Sequence, residues 1–213
     1  MLPPLLPTYN RAPIAFVRGE GSWLVAEDGG RYLDLGAGIA VNALGHAHPA
    51  LVAALTEQAG RVWHVSNVYR IPEQERLADM LVERTFADTV FVTNSGTEAA
   101  ELAIKMARKY WHEKGDPGRI EILTFEGAFH GRSTGAIAAA GSEKMVKGYG
   151  PLMPGFRVLP WGDMAALREA ISDRTAAVMV EPIQGEGGIR PLPDGDLKAF
   201  RARCDETGAL LIL

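Results

Sequence analysis

A mostly parallel β-sheet with helices on both faces, preceded by a small β-meander and a helical segment, is the α/β fold this sequence predicts. Three observations predict it. From Asp88 onward, short β-forming runs alternate with runs of helical period, the rhythm of strand–helix–strand units that build parallel sheets. Ala176–Val180 is apolar without a break, as expected of a strand covered on both faces. Ser95 and Glu98 form a capping-box pattern directly after the β-forming run Val90-Phe91-Val92, so strand, tight turn and helix follow one another closely.

The N-terminal part reads as a meander. Its candidate strands are Ile14–Arg18, Trp23–Ala26 and Tyr32–Leu35, with turns at Gly19–Gly21 and Asp28-Gly29-Gly30. The loop Gly36-Ala37-Gly38-Ile39-Ala40-Val41-Asn42 superficially resembles a dinucleotide fingerprint. Val41 stands where a small residue should be, and no periodic helix follows at once, so a dehydrogenase is disfavoured. His46 and His48 lack a nearby carboxylate or cysteine to complete a metal site, and loop packing and the start of the next helix are their expected roles. No metal site is predicted. Pro49 suits a first helical position, and Leu51, Val52, Leu55 and Ala59 should give that helix a buried face. After the polar Ser66-Asn67 link, Pro72 opens a helix expected to bury Leu77, Met80 and Leu81.

The strands expected next are Thr89–Thr93, Ile120–Phe125, Phe156–Leu159, Ala176–Glu181 and Ala209–Leu213. Helices fit at Thr97–His112, Ser133–Ala140, Asp163–Ile171 and Asp194–Glu206, the last stopped by Gly208. On the first of these, Ala99, Leu102, Ala103, Met106, Ala107 and Tyr110 share a face, and Glu101 and Lys105 should pair across a turn. Gly141–Gly155 is long and irregular, as functional loops often are.

Bulk properties narrow the function classes. A net charge of -4 and the lack of any Lys/Arg block argue against nucleic acid as a partner. Cys204 is the only cysteine, so no intramolecular disulfide forms and a reducing cytoplasm is the default compartment. The proline-rich start has no basic region of a signal peptide, and no apolar run approaches membrane-spanning length.

Ligands of open α/β sheets bind outside the carboxyl ends of strands. Three unusual segments fall there: Asn94-Ser95-Gly96-Thr97-Glu98, Glu126-Gly127-Ala128-Phe129-His130-Gly131-Arg132, and Glu181-Pro182-Ile183-Gln184-Gly185-Glu186-Gly187-Gly188. Taken singly, each has a plain alternative. Gly96 and Thr97 at a helix N-terminus suit a phosphate, or simply belong to a well-capped helix. Phe129 between glycines can lie against a flat heteroaromatic, or fill a core. Arg132 offers a planar fork to a carboxylate, or sits on the surface. Glu186 among glycines pairs with a cation or meets substrate, and Glu181 before Pro182 ends its strand. Together they describe a site for a phosphorylated aromatic coenzyme and a carboxylate-bearing substrate, a description that fits pyridoxal phosphate and an amino acid.

At these residues the chain resembles the class III, pyridoxal-phosphate-dependent aminotransferases, and most closely their acetylornithine-using branch. The markers run from Ala37-Gly38-Ile39-Ala40-Val41-Asn42-Ala43-Leu44-Gly45-His46 through Asn94–Ala99 and Phe129–Arg132 to Glu181–Gly188. The resemblance implies a fold-type I transferase that moves the terminal amino group of N2-acetylornithine to 2-oxoglutarate. Residues 1–70 would form part of the small domain plus a linker, and residues 71–213 the first part of the large coenzyme-binding domain. Gly96 and Thr97 would bind the coenzyme phosphate and Phe129 would stack on its ring. Arg132 would bind the substrate α-carboxylate, and Glu186 would neutralise a second arginine in the C-terminal domain. Ile39 stands where ornithine aminotransferases carry a tyrosine, which favours an N-acylated donor. Succinylornithine, ornithine and 4-aminobutyrate remain alternative donors, and a non-catalytic fragment is the alternative of another class. The family's Schiff-base lysine is expected beyond Leu213, so no catalytic residue is assigned within the chain and the fragment alone is expected to be inactive. The family also implies a homodimer.

Overall fold

The computed structural model describes residues 4–213. These divide into two units, one ending at Leu77 and the other running from Ala78 to Leu213.

In the first unit, β1 (Phe16–Glu20), β2 (Trp23–Ala26) and β3 (Arg31–Leu33) form an antiparallel sheet in that order. The meander is therefore as expected, with its first strand shifted towards Glu20. Next comes α1 (Ala37–Ala40), a single turn in which Ala37, Gly38, Ile39 and Ala40 all have positive φ. Such angles are unfavourable for a β-branched residue such as Ile39. Behind it, Asp34 Oδ2 bonds His46 Nε2 at 2.7 Å, and Asp34 Oδ1 accepts the amides of Gly36 and Ala37. The His46 bond, then the Ala37 amide, hold the Asp34 carboxyl below the usual carboxylate range. His48 is the N-cap residue of α2 (Pro49–Ala59).

The faces of α2 and of α3 (Pro72–Arg84) correct the sequence reading. Leu51, Val52 and Leu55 are exposed, as are Leu77, Met80 and Leu81, and neither helix has a buried residue. Periodicity finds an apolar stripe but does not supply the layer that covers it.

The second unit holds the parallel sheet. Its strands are β4 (Glu121–Phe125), β5 (Phe156–Leu159), β6 (Thr175–Met179) and β9 (Leu210–Ile212), arranged β5-β4-β6-β9 with every pairing parallel. The alternating pleat sends successive side chains to opposite faces. Ile122, Ala177 and Met179 pack with Ala100, Ile104 and Ala107 of α4 (Gly96–Glu113) on one side. Leu123, Phe125, Leu159 and Val178 pack on the other with Leu167 of α7 (Met164–Ala170) and with Phe200 and Cys204 of α8 (Asp196–Thr207). Helices thus cover both faces. Burial also raises the Cys204 thiol above its ordinary range. Arg119 staples the edge of this core: its guanidinium lies 3.6 Å over the Trp111 ring and donates to the carbonyls of Thr175 and Thr207 at 2.7 and 2.9 Å.

Several details differ from expectation. The run Thr89–Thr93 forms no strand, because no described residues pair with its backbone. The buried stripe of α4 is Ala100, Ile104 and Ala107, while Ala99, Met106 and Tyr110 are exposed. Within Gly141–Gly155 the chain forms one turn, α6 (Glu143–Val146). It follows α5 (Thr134–Ala140), whose small side chains are buried from Gly135 to Ala140. Beyond β6, β7 (Ile183–Gln184) and β8 (Arg190–Pro191) form a hairpin in a stretch to which the sequence assigns no strand.

Candidate active site

The carboxyl ends of β6 and β9 and the N-terminus of α4 enclose a cleft of about 550 Å³. Ser95, Gly96, Thr97, Phe129, Arg132 and Glu181 line it, and Met179, Val180 and Ile212 contribute apolar wall.

The helix N-terminus is built as its sequence suggests. Ser95 Oγ accepts the Glu98 amide at 3.3 Å, and the Glu98 carboxylate reaches back to the Asn94 amide at 2.7 Å, one residue beyond the usual capping-box partner. With those groups engaged, the amides of Gly96 and Thr97 have no partner among the described residues. Unpaired amides at the positive end of an 18-residue helix are suited to an anion. The Thr97 hydroxyl is engaged elsewhere: it donates to Ser133 Oγ at 3.2 Å and accepts the Ser133 amide at 3.4 Å. Thr97 therefore offers its amide, rather than its hydroxyl, to the cleft.

The second segment runs across the same cleft. Phe129 is half-buried, so it is a wall residue and not part of the core. Its amide donates to Glu181 Oε1 at 2.8 Å. The Arg132 guanidinium is exposed and sits 5.5 Å from the centre of the Phe129 ring. Gly131, at φ 121, passes so close to α4 that a Cβ there would collide with Thr97 Oγ1. A glycine is required where two backbones meet this tightly. His130 is buried with its Nε2 unpartnered, and desolvation pushes its pKa down to about 4.

The third segment is divided. Glu181 lies in the cleft, where burial raises its pKa against the lowering effect of the Phe129 and Gly185 amides, with Glu186 raising it further. Glu186 itself is exposed on the β7–β8 turn and does not line the cleft. The hairpin is fastened by fully buried Gln184, which donates to the Glu126 carbonyl at 3.0 Å and accepts from Arg190 at 2.5 Å.

The structure thus brings Gly96, Thr97, Phe129 and Arg132 together and leaves Glu186 apart. Sequence reasoning gave Glu181 no role beyond ending a strand, although a carboxylate at the carboxyl end of an all-apolar strand is a ligand-side position. It also expected Glu101 to pair with Lys105. Glu101 instead accepts from Ser133 Oγ at 2.6 Å and from the Gly135 amide at 3.0 Å, because the fold packs the start of α5 against its carboxylate. Free amides, a ring wall and a closely approaching glycine backbone fit a phosphorylated flat coenzyme.

Comparison with known proteins decides the family. The family model described as aminotransferase class-III matches residues 7–213. The chain belongs to the class III aminotransferases. Among relatives of this class III chain, an acetylornithine aminotransferase from Rhodobacter capsulatus is 73% identical over 212 residues, covering 100% of this chain and 54% of that protein. Among solved structures, an ornithine aminotransferase from Toxoplasma gondii superposes with a TM-score of 0.93 at 30% identity, covering 98% of this chain and 50% of that one. Another structure of the Toxoplasma enzyme is described as showing partial occupancy of PLP at the active site. An N-acetylornithine aminotransferase from Stenotrophomonas maltophilia gives a TM-score of 0.80 at 42% identity, covering 95% of this chain and 50% of that one. This class III chain therefore spans about half the length of the relatives it matches.

Proposed function

We propose that the full-length protein containing this chain transfers the terminal amino group of N2-acetylornithine to 2-oxoglutarate with pyridoxal phosphate, a step of arginine biosynthesis. The observation that carries the proposal is the convergence, in one cleft, of the unpaired Gly96 and Thr97 amides with Phe129 and Arg132. The substrate assignment draws on the 73% identity to an acetylornithine aminotransferase and on Ile39 in place of a tyrosine.

In this reading the Gly96 and Thr97 amides hold the coenzyme phosphate, aided by the dipole of α4. Phe129 lies against the coenzyme ring and Arg132 receives a substrate carboxylate. When bound, the coenzyme supplies the electron sink for the bond broken at the amine-bearing carbon. Apolar Met179, Val180 and Ile212 keep water from that side of the cleft. Glu186, on its hairpin, is left to meet an arginine of the half of the relatives' length that this chain does not span. The Schiff-base lysine is expected in that half as well. A single cysteine, which can form no intramolecular disulfide, is in keeping with a reducing cytoplasm, and the family resemblance implies a homodimer.

The test is a side-by-side rate measurement on the full-length protein with 2-oxoglutarate as acceptor. N2-Acetylornithine should give the highest kcat/KM, ahead of succinylornithine, ornithine and 4-aminobutyrate. A preference for free ornithine or 4-aminobutyrate overturns the substrate assignment, and the absence of pyridoxal phosphate binding overturns the mechanism.

A further inference from the structure

Arg132 makes no hydrogen bond or ion pair among the described residues, so its aim depends on the backbone that carries it and on the neighbouring Phe129 ring. That backbone is gripped at both ends by carboxylates with no role in the reading above. At the leading end, Glu181 Oε1 accepts the Phe129 amide at 2.8 Å. At the trailing end, one oxygen of Glu101 accepts both the Ser133 hydroxyl at 2.6 Å and the Gly135 amide at 3.0 Å.

The trailing grip has a fixed direction. Ser133 carries one hydroxyl proton and gives it to Glu101, so its oxygen is left to accept from Thr97 Oγ1 at 3.2 Å. The chain Thr97 to Ser133 to Glu101 thereby joins the start of α4 to the start of α5. Glu101 also lies hard against this backbone: a Cβ on Gly135 would stand 2.6 Å from Glu101 Oε1. Bonds to carboxylates are shorter and stronger than neutral ones, so both ends are held by charge-assisted contacts.

We propose that Glu101 and Glu181 are a pair of positioning residues that clamp the Phe129–Ser133 segment and so aim Arg132 at the substrate carboxylate. The proposal rests on the function proposed above and adds to it the residues that set carboxylate recognition. Phe129 belongs to the clamped segment and Thr97 touches it, but the Gly96 and Thr97 amides are set by the Ser95 and Glu98 caps, so loosening the clamp should cost carboxylate affinity more than coenzyme affinity.

The test uses the full-length protein loaded with pyridoxal phosphate and titrated with glutarate, an unreactive dicarboxylate. Glu101→Ala and Glu181→Ala should each weaken glutarate binding about tenfold, with pyridoxal phosphate affinity changed by less than about threefold. The Glu101→Gln and Glu181→Gln variants keep an acceptor oxygen and should stay within about threefold of wild type. The double alanine variant should lose less than the product of the single losses, since both changes release the same segment. Unchanged glutarate affinity overturns the clamp, as does a loss of glutarate and coenzyme affinity in step with a lowered Tm. Where Glu101→Ala does not fold, Ser133→Ala removes the bridging hydroxyl and decides the same question. A wild-type protein that binds no pyridoxal phosphate refutes the proposed function, whereas normal wild-type binding with insensitive variants refutes the clamp alone.

Discussion

Burial strips His130 of water without giving its Nε2 a partner, and its pKa falls to about 4 from an ordinary 6.5. The folded state therefore resists protonation more than the unfolded chain does. Stability is full above pH 6.5 and is lost as pH falls through the folded value, by about 3 kcal/mol in all. Urea unfolding between pH 7 and 4 should show this loss, and His130→Asn should flatten the slope. Glu181 acts with the opposite sign. Its raised pKa gives stability that is complete below 4.5 and lost as pH rises through the folded value, so Glu181→Gln should be the more stable protein at neutral pH. Asp34, held below its usual range, contributes stability that disappears at still lower pH. Gly131 makes a conformational prediction. At φ 121 and against Thr97, alanine should cost about 1–3 kcal/mol in denaturant unfolding and weaken pyridoxal phosphate binding. These residues differ in how legible they were. Gly131 and Arg132 stand out as a glycine and a cation in a turn after a strand. The demands on Glu101 and Glu181 come from backbone amides brought to them by the fold, over separations of 34 and 52 residues, and no local pattern announces such partners.

At the scale of elements, local signals are most reliable where the partner is local too. The Ser95 cap, the Asp163 cap of α7 and the Gly208 stop of α8 each involve neighbours within a few residues, and each is present. Strand β6 is legible because two-sided burial demands a continuous apolar run, and β4, β5 and β9 because short β-forming runs alternate with helical ones. Thr89–Thr93 has the same composition but no paired strand, since composition sets a propensity and pairing makes the strand. The buried face of α4 differs from the periodic one for a related reason. Its small and apolar residues cover most of the circumference, and contact with Ile122, Ala177 and Met179 selects Ala100, Ile104 and Ala107. Ile104→Ala should therefore cost about 2–5 kcal/mol, whereas Met106→Ala in the same chain should cost about 0.5 or less. Equal losses from chemical unfolding of the two variants would restore the face read from periodicity. The β7–β8 hairpin was illegible because its two-residue strands are too short to alternate, and its Gln184–Arg190–Glu126 fastening is tertiary.

At the scale of the molecule, the parallel sheet and its ligand-side edge were legible from alternation alone, and the class III motifs supplied the chemistry. The apolar stripes of α2 and α3 show what sequence could not supply, namely the surfaces that cover them. No helix among the described residues is long and apolar enough to cross a membrane. The central claim is that the first turn of α4 seats a phosphate while Phe129 meets the ring attached to it. The position of the coenzyme in a crystal structure of the full-length protein tests this most directly. Phosphate oxygens within hydrogen-bond distance of the Gly96 and Thr97 amides, with the ring against Phe129, are the predicted result. A phosphate held without either amide, or a ring lying away from Phe129, would contradict it.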